Sequence, residues 1–201
     1  MRFGSLRGPF LLAAVAVAFV ACTETDASDA ADAGTFTPVQ GDFQTFHSWQ
    51  SFTFMGAAIP DSPHLTAGPR TDYINQLPPR GATAFPVGTI IVKEFDVGPL
   101  TGRQVFAMVK VGGGYNAQGA VDWEWFGLIN NADGSVTIQW HGVVPPPSEP
   151  YAASGITCNA CHGDAVKNDY VQSAALYLPT LELSDGGSVG DAASFEDGGE
   201  Q

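Results

Sequence analysis

Val121-Asp122-Trp123-Glu124-Trp125-Phe126-Gly127-Leu128-Ile129 alternates acid and aromatic residues at period two, the pattern of a strand buried on one face and solvated on the other. Working outward, Asn130-Asn131-Ala132-Asp133-Gly134 is turn chemistry, and Ser135 to His141 reads as the partner strand. On the N-terminal side, Gly112-Gly113-Gly114 ends the strand-like run Gln104-Val105-Phe106-Ala107-Met108-Val109-Lys110-Val111. A turn containing Gly102 separates that run from Thr89-Ile90-Ile91-Val92-Lys93-Glu94-Phe95, which is β-branched and short, bounded by Gly88 before it and by Asp96, Gly98 and Pro99 after it. Short links between successive strands predict an antiparallel meander, closed by Pro145-Pro146-Pro147. A helix is expected near Pro38 to Phe52, ahead of the sheet, with short helices around Cys158 and over Ala165 to Leu176. The class is therefore α+β, a mainly antiparallel β-sheet with a few flanking helices. The chain has no internal repeats.

Cys158-Asn159-Ala160-Cys161-His162, on the late short helix, reads as a covalent c-type haem attachment site. Two cysteines three residues apart share one turn of helix, so each sulfur can add to a haem vinyl group while the adjacent imidazole ligates iron. The other readings are a zinc knuckle, a dithiol switch or a plain disulfide. A structural zinc site wants a second pair of ligands, and the only other cysteine is Cys22. A thioredoxin-like CxxC belongs early, after the first strand of a βαβ unit, whereas this one is late and followed directly by histidine. Haem c is the expected cofactor.

The N-terminus reads as an export signal. Met1-Arg2-Phe3-Gly4-Ser5-Leu6-Arg7 is basic without acids, and Pro9 to Val20 is an apolar run too short for a membrane span. Ala18-Phe19-Val20-Ala21-Cys22 resembles a bacterial lipobox, with Phe19 departing from the usual aliphatic residue. Cys22 is then the lipidated N-terminus, and the only membrane attachment expected is that lipid. The other reading is cleavage after Ala21 with a free thiol. Thr23 in place of aspartate implies an outer-membrane-anchored lipoprotein facing the periplasm or cell surface.

Residues 1–21 are thus read as signal peptide, 22–38 as a small, acidic tether that cannot repay its ordering entropy, 39–183 as one domain, and 184–201 as a similar acidic tail. Of the 21 acidic residues, four lie in the tether and five in the tail. The domain keeps twelve acids against six bases, a net charge of −6 with no basic cluster. Nucleic acid is not expected as a partner on that field. A small neutral substrate or a basic redox partner protein suits it.

Arg70-Thr71-Asp72-Tyr73-Ile74-Asn75 ahead of the sheet, Gly88-Thr89-Ile90-Ile91-Val92-Lys93-Glu94, Met108-Val109-Lys110, Asp122-Trp123 and the late Cys-x-x-Cys-His occur in an order that resembles the cytochrome P-460 family and its relatives, the β-sheet cytochromes c-prime. The likeness runs from about Gly41 to Leu178. It implies a five-coordinate haem held against a mostly antiparallel sheet, His162 as proximal ligand, and an iron face open to small nitrogen species. The family's enzymes oxidise hydroxylamine or related nitrogen oxides, its c-prime relatives bind nitric oxide, and members often pair as homodimers. The enzymes bond a strand lysine covalently to the haem edge, and Lys93 matches that position. The other reading of Lys93 is a sheet-edge ammonium in water. Where the enzymes place a glutamate four residues before the lysine matching Lys110, this chain has Phe106, which moves the expected pocket toward the apolar, gas-binding type.

Open coordination has support outside the resemblance. A sixth ligand would come from Met55, Met108, His47, His64 or His141. Met108 reads as core, His141 as a solvated strand end, and His64 as a loop residue able to reach the pocket. Arg70 suits the pocket or a haem propionate, its guanidinium pairing with carboxylates, or else an ion pair with Asp72 or Asp61. Glu124 or Asp122 can supply a proton-accepting carboxylate, the competing reading being a solvent-facing row opposite Trp123 and Trp125. Three functions stay open: hydroxylamine oxidation with Lys93, Arg70 and Glu124 as catalytic residues, nitric oxide binding, and simple electron transfer.

Overall fold

The computed structural model describes residues 34–56, 68–95, 103–149, 152 and 157–181. Six strands form one sheet in chain order: β1 (Gln50–Gly56), β2 (Gly68–Ile74), β3 (Ile90–Phe95), β4 (Val105–Lys110), β5 (Trp123–Asn130) and β6 (Val136–Gly142). Every neighbouring pair is antiparallel. The four strands expected from Thr89 onward form within a residue or two of their predicted bounds. The turn after β5 closes with Gly134 N–H donating to the Asn131 carbonyl at 3.0 Å, Gly134 lying at φ +82°, which favours glycine.

Two expectations fail on the N-terminal side. The helix near Pro38 to Phe52 is replaced by two short 3-10 turns, Gln40–Phe43 and Phe46–Ser48, after which the chain enters β1. Phe43 and Phe46, fully buried, anchor those turns under the sheet, while Phe52, Thr53 and Phe54 satisfy their backbone by pairing with β2, for which aromatic and β-branched residues are suited. The Arg70 segment lies within the sheet rather than ahead of it, between β1 and β3. Its polar residues hide the strand from a hydrophobicity reading, because Arg70, Thr71 and Asp72 are all buried.

Both faces of the sheet are covered, which explains the unbroken apolar run Ile90-Ile91-Val92 in β3. One face carries Phe43, Phe46, Ile90, Val92, Ala107, Val109, Phe126, Leu128 and Val136. The other carries Ile74, Ile91, Met108, Trp123, Trp125 and Trp140, packed against Phe85, Val171, Leu176 and Leu178. The alternation in β5 therefore sorts two cores rather than core from solvent. Glu124 is 9% exposed, accepting from the Tyr115 hydroxyl at 3.3 Å and from His141 Nδ1–H at 2.7 Å. Glu94, on the same face, is fully buried among Asn130 Nδ2 (2.8 Å), Arg103 Nη1 (3.2 Å), Tyr73 Oη (3.4 Å) and His47 Nε2 (3.4 Å). Buried carboxylates satisfied this fully hold a fold in register.

After the sheet, α1 (Cys158–His162) is a single turn, followed by 3-10 turns at Gly163–Asn168, Ala174–Leu176 and Leu178–Thr180. The helical expectation over Ala165 to Leu176 is met only in pieces, because Asp169 and Tyr170 take left-handed backbone at φ +50° and +66° and break it. The signal segment, Cys22, Asp61, His64 and the tail 184–201 lie outside the described residues. Among the described residues no helix is long and apolar enough to cross a membrane.

Candidate functional site

The segment from Thr157 to Ala175 leans over the tryptophan-bearing face of the sheet and encloses a cavity of about 400 Å³. That volume falls in the range of cofactor and ligand pockets. Its floor is Phe52 and Phe54 from β1, Arg70 from β2, Lys93 and Phe95 from β3, Phe106 from β4 and Trp125 from β5. Its opposite wall holds Cys158, Cys161 and His162 from α1, with Gln172 and Ser173 beyond. Antiparallel registry makes this convergence: Lys93 lies opposite Asp72 on one side and Phe106 on the other, so all three share the cavity face.

The short helix α1 has little stability of its own and is pinned to the sheet by its second residue. Asn159 Oδ1 accepts from Trp125 Nε1 (2.8 Å), Asn116 Nδ2 (2.8 Å) and Ala120 N–H (3.3 Å), while its Nδ2 donates to Asn116 Oδ1 (3.0 Å) and the Val143 carbonyl (3.3 Å). Gly119 leaves the room this needs, since a Cβ there would stand 2.3 Å from the Asn159 amide carbon. Thr157 caps the helix, its Oγ1 accepting from Ala160 N–H at 3.2 Å. At the other end the Gln172 amide donates to the Cys161 carbonyl.

His162 closes the turn with its ring 4.6 Å from that of Trp125. Its Nδ1 stands 2.7 Å from the Tyr170 carbonyl, an oxygen that can only accept, so Nδ1 carries the hydrogen and Nε2 keeps its lone pair. Burial lowers its pKa to about 4, leaving a neutral imidazole at ordinary pH. The carbonyl is aimed by the left-handed Asp169–Tyr170 turn, a conformation that costs a tyrosine about 1 kcal/mol or more. Lys110 holds that turn in place, its Nζ 2.7 Å from Asp169 Oδ1, while Asp169 Oδ2 accepts from Phe85 N–H at 2.9 Å.

The two thiols are free, and desolvation raises both, Cys158 to about 11. Lys93 projects among these groups, its ammonium 3.8 Å from Asp72 Oδ1 and 5.9 Å from the centre of the Phe54 ring. Arg70 stacks its guanidinium 5.0 Å over Phe95, and desolvation lowers its pKa. The backbone of Gly56 makes room for it, as a Cβ there would lie 2.3 Å from Arg70 Nε.

Of the residues singled out from sequence, Cys158, Cys161, His162, Lys93 and Arg70 thus line one cavity. Glu124 does not join them, for its position in β5 turns it to the opposite face, toward Tyr115 and His141. His47 stands beside Glu94 on that same far face, and Met55 is 75% exposed. Met108 is buried in the core beneath the site, as expected. Among the described residues, the carboxyl that does border the site is Asp72, which is fully buried. Desolvation raises its pKa, opposed by Lys93, Ser173 and Arg70. Asp72, Asn159, Ser173 and the Tyr170 carbonyl were not assigned to the site from sequence. Asp72 was findable, because it alternates with Arg70 once that segment is read as a strand.

Two thiols and a neutral imidazole on one cavity wall match the donors that a covalently attached haem would need, and the apolar, aromatic floor would suit a flat macrocycle. Among the described residues no three His, Cys, Asp or Glu side chains converge as a closed protein-built metal site requires. Comparison of the chain with protein-family models, curated proteins and solved structures finds no match in any of the three.

Proposed function

We propose that the chain is an exported mono-haem c-type cytochrome, similar to cytochrome P-460, that binds and oxidises hydroxylamine or a related small nitrogen species at an open haem face. The observation that carries the reading is the convergence of Cys158, Cys161, His162 and Lys93 on one cavity. Cys158 and Cys161 would bond the haem, His162 would ligate it through Nε2, and Arg70 would pair with a propionate. When bound, the haem supplies an iron that exchanges electrons with the small ligand and with a redox partner protein. The Tyr170 carbonyl fixes the tautomer and orientation of His162 and raises its basicity as a ligand. Asn159 holds both thiols over the sheet, and the phenylalanine floor excludes water. Lys93, which lines the same cavity, would be the residue to crosslink to the haem edge.

Phe52, Phe54, Phe95 and Phe106 favour a second reading, nitric oxide binding without turnover, because an apolar chamber suits a neutral diatomic gas. In both readings the N-terminal segment exports the chain and anchors it through a lipid on Cys22.

The test is an absorption spectrum of the reduced protein, made without its anchor in a host that matures c-type cytochromes. A strongly red-shifted Soret band lost in Lys93→Ala, with hydroxylamine-dependent reduction of an artificial acceptor, supports the enzyme. An ordinary high-spin c-type band and nitric oxide binding without turnover supports the second reading. Cys158→Ser with Cys161→Ser is expected to abolish covalent haem, whereas His162→Ala keeps the haem and loses axial ligation. A chain matured without covalent haem sinks both readings.

A further inference from the structure

Neither carboxylate oxygen of Asp72 has a hydrogen-bond partner, although the residue is fully buried. Ser173 Oγ is buried beside it, near enough to oppose the rise of its pKa but outside hydrogen-bond geometry. Such groups cost roughly 1–3 kcal/mol each when left unsatisfied, and native proteins rarely keep them without a water, a ligand or a functional reason. Both border a second, smaller chamber of about 60 Å³, which adjoins the main cavity through Lys93, Phe106, Trp125 and His162. A chamber needs only about 10–15 Å³ of such space to hold one water, so this one has room for a small molecule. Lys93 Nζ is 3.8 Å from Asp72 Oδ1, beyond hydrogen-bond reach, which leaves a donor and an acceptor facing each other across the space.

The geometry points to the Asp72–Ser173 chamber as a binding site for a small molecule that donates hydrogen bonds from N–H or O–H, with its donors on Asp72 and its own lone pairs toward Lys93. A diatomic gas has no hydrogen to give and would leave Asp72 unsatisfied. Ser173, able to donate or accept, adapts to either end of the guest. This deepens the reading of hydroxylamine as substrate and rests on it for the oxidation step, whereas the binding itself depends only on residues of this chain.

The experiment uses the full chain as isolated, with hydroxylamine and nitric oxide as probes. Infrared difference spectra read the Asp72 carboxylate with or without haem, Asp72→Asn identifying its band, and titration gives the dissociation constants. Hydroxylamine is expected to shift that band and nitric oxide to leave it in place. Asp72→Asn and Ser173→Ala should each weaken hydroxylamine binding by about ten-fold, the worth of one hydrogen bond to a charged group, with nitric oxide binding changed by less than about two-fold. A band that hydroxylamine does not move, or equal loss for both probes, overturns the inference. Should Asp72→Asn fail to fold, Ser173→Ala and the wild-type spectrum decide it alone. A preparation without covalent haem sinks the proposed function, yet a hydroxylamine-induced carboxylate shift in it still upholds this site.

Discussion

His162 Nδ1 lies 2.7 Å from the Tyr170 carbonyl, a contact that sets the tautomer of the imidazole beside the cysteine pair. The neutral ring carries a pH consequence for the haem-free chain. Desolvation lowers the folded pKa to about 4 against an ordinary value of 6.5, so in that interval the unfolded chain binds more protons. Stability is complete above about pH 6.5 and falls as pH drops toward 4, by at most about 3 kcal/mol. Urea melts at pH 7 and pH 5 are expected to show the loss, and His162→Gln should reduce it, the difference between the chains isolating the histidine from other titrating groups.

Asn159→Ala removes five hydrogen bonds that dock α1 on the sheet. A destabilisation of about 2–3 kcal/mol is expected, concentrated in that turn. Gly119→Ala should act alike, because the new methyl displaces Asn159. The rate of thiol alkylation at Cys158 and Cys161 checks this, rising several-fold in both variants; unchanged rates would mean that α1 is held by other contacts.

Lys110→Met takes one partner from a nearly buried ion pair and leaves the Asp169 carboxylate without that cation. The cost of such a change is about 3–5 kcal/mol. Lys110→Met with Asp169→Asn should recover part of it, since no lone buried charge remains. Thermal melts of the two chains give the comparison.

Asp72→Asn is expected to raise the stability of the ligand-free chain at neutral pH, by about 1–3 kcal/mol, because it removes an unsatisfied buried carboxylate. The raised pKa sets the sign: the native state holds its proton more tightly, so this group's contribution falls as pH rises through the folded value. The gain should therefore shrink in acid. A destabilised variant at pH 7 would show that Lys93 compensates the charge.

Strands β3 to β6 were legible because glycine, asparagine and proline punctuate β-branched and aromatic runs, and local chemistry governs such turns. β1 and β2 were not, since β2 brings Arg70, Thr71 and Asp72 into the interior, where pairing partners rather than hydrophobicity decide the conformation. Glu124 shows the same limit from the other side: period two reveals that two faces exist, and β5 has a core on each.

By itself the sequence determined the Cys-x-x-Cys-His spacing of Cys158, Cys161 and His162, the strand periodicity and the acidic balance, because each is a property of spacing or composition. Tertiary structure alone decided that Lys93 and Arg70 share a cavity with that motif, that Glu124 is excluded from it, and that Asp72 borders it without a hydrogen bond. Those relations depend on strand registry and on how a one-turn helix docks across the sheet. Hairpin register follows from turns and the hydrophobic pattern, but which side chains meet across the whole sheet and under α1 depends on contacts between residues far apart in the chain.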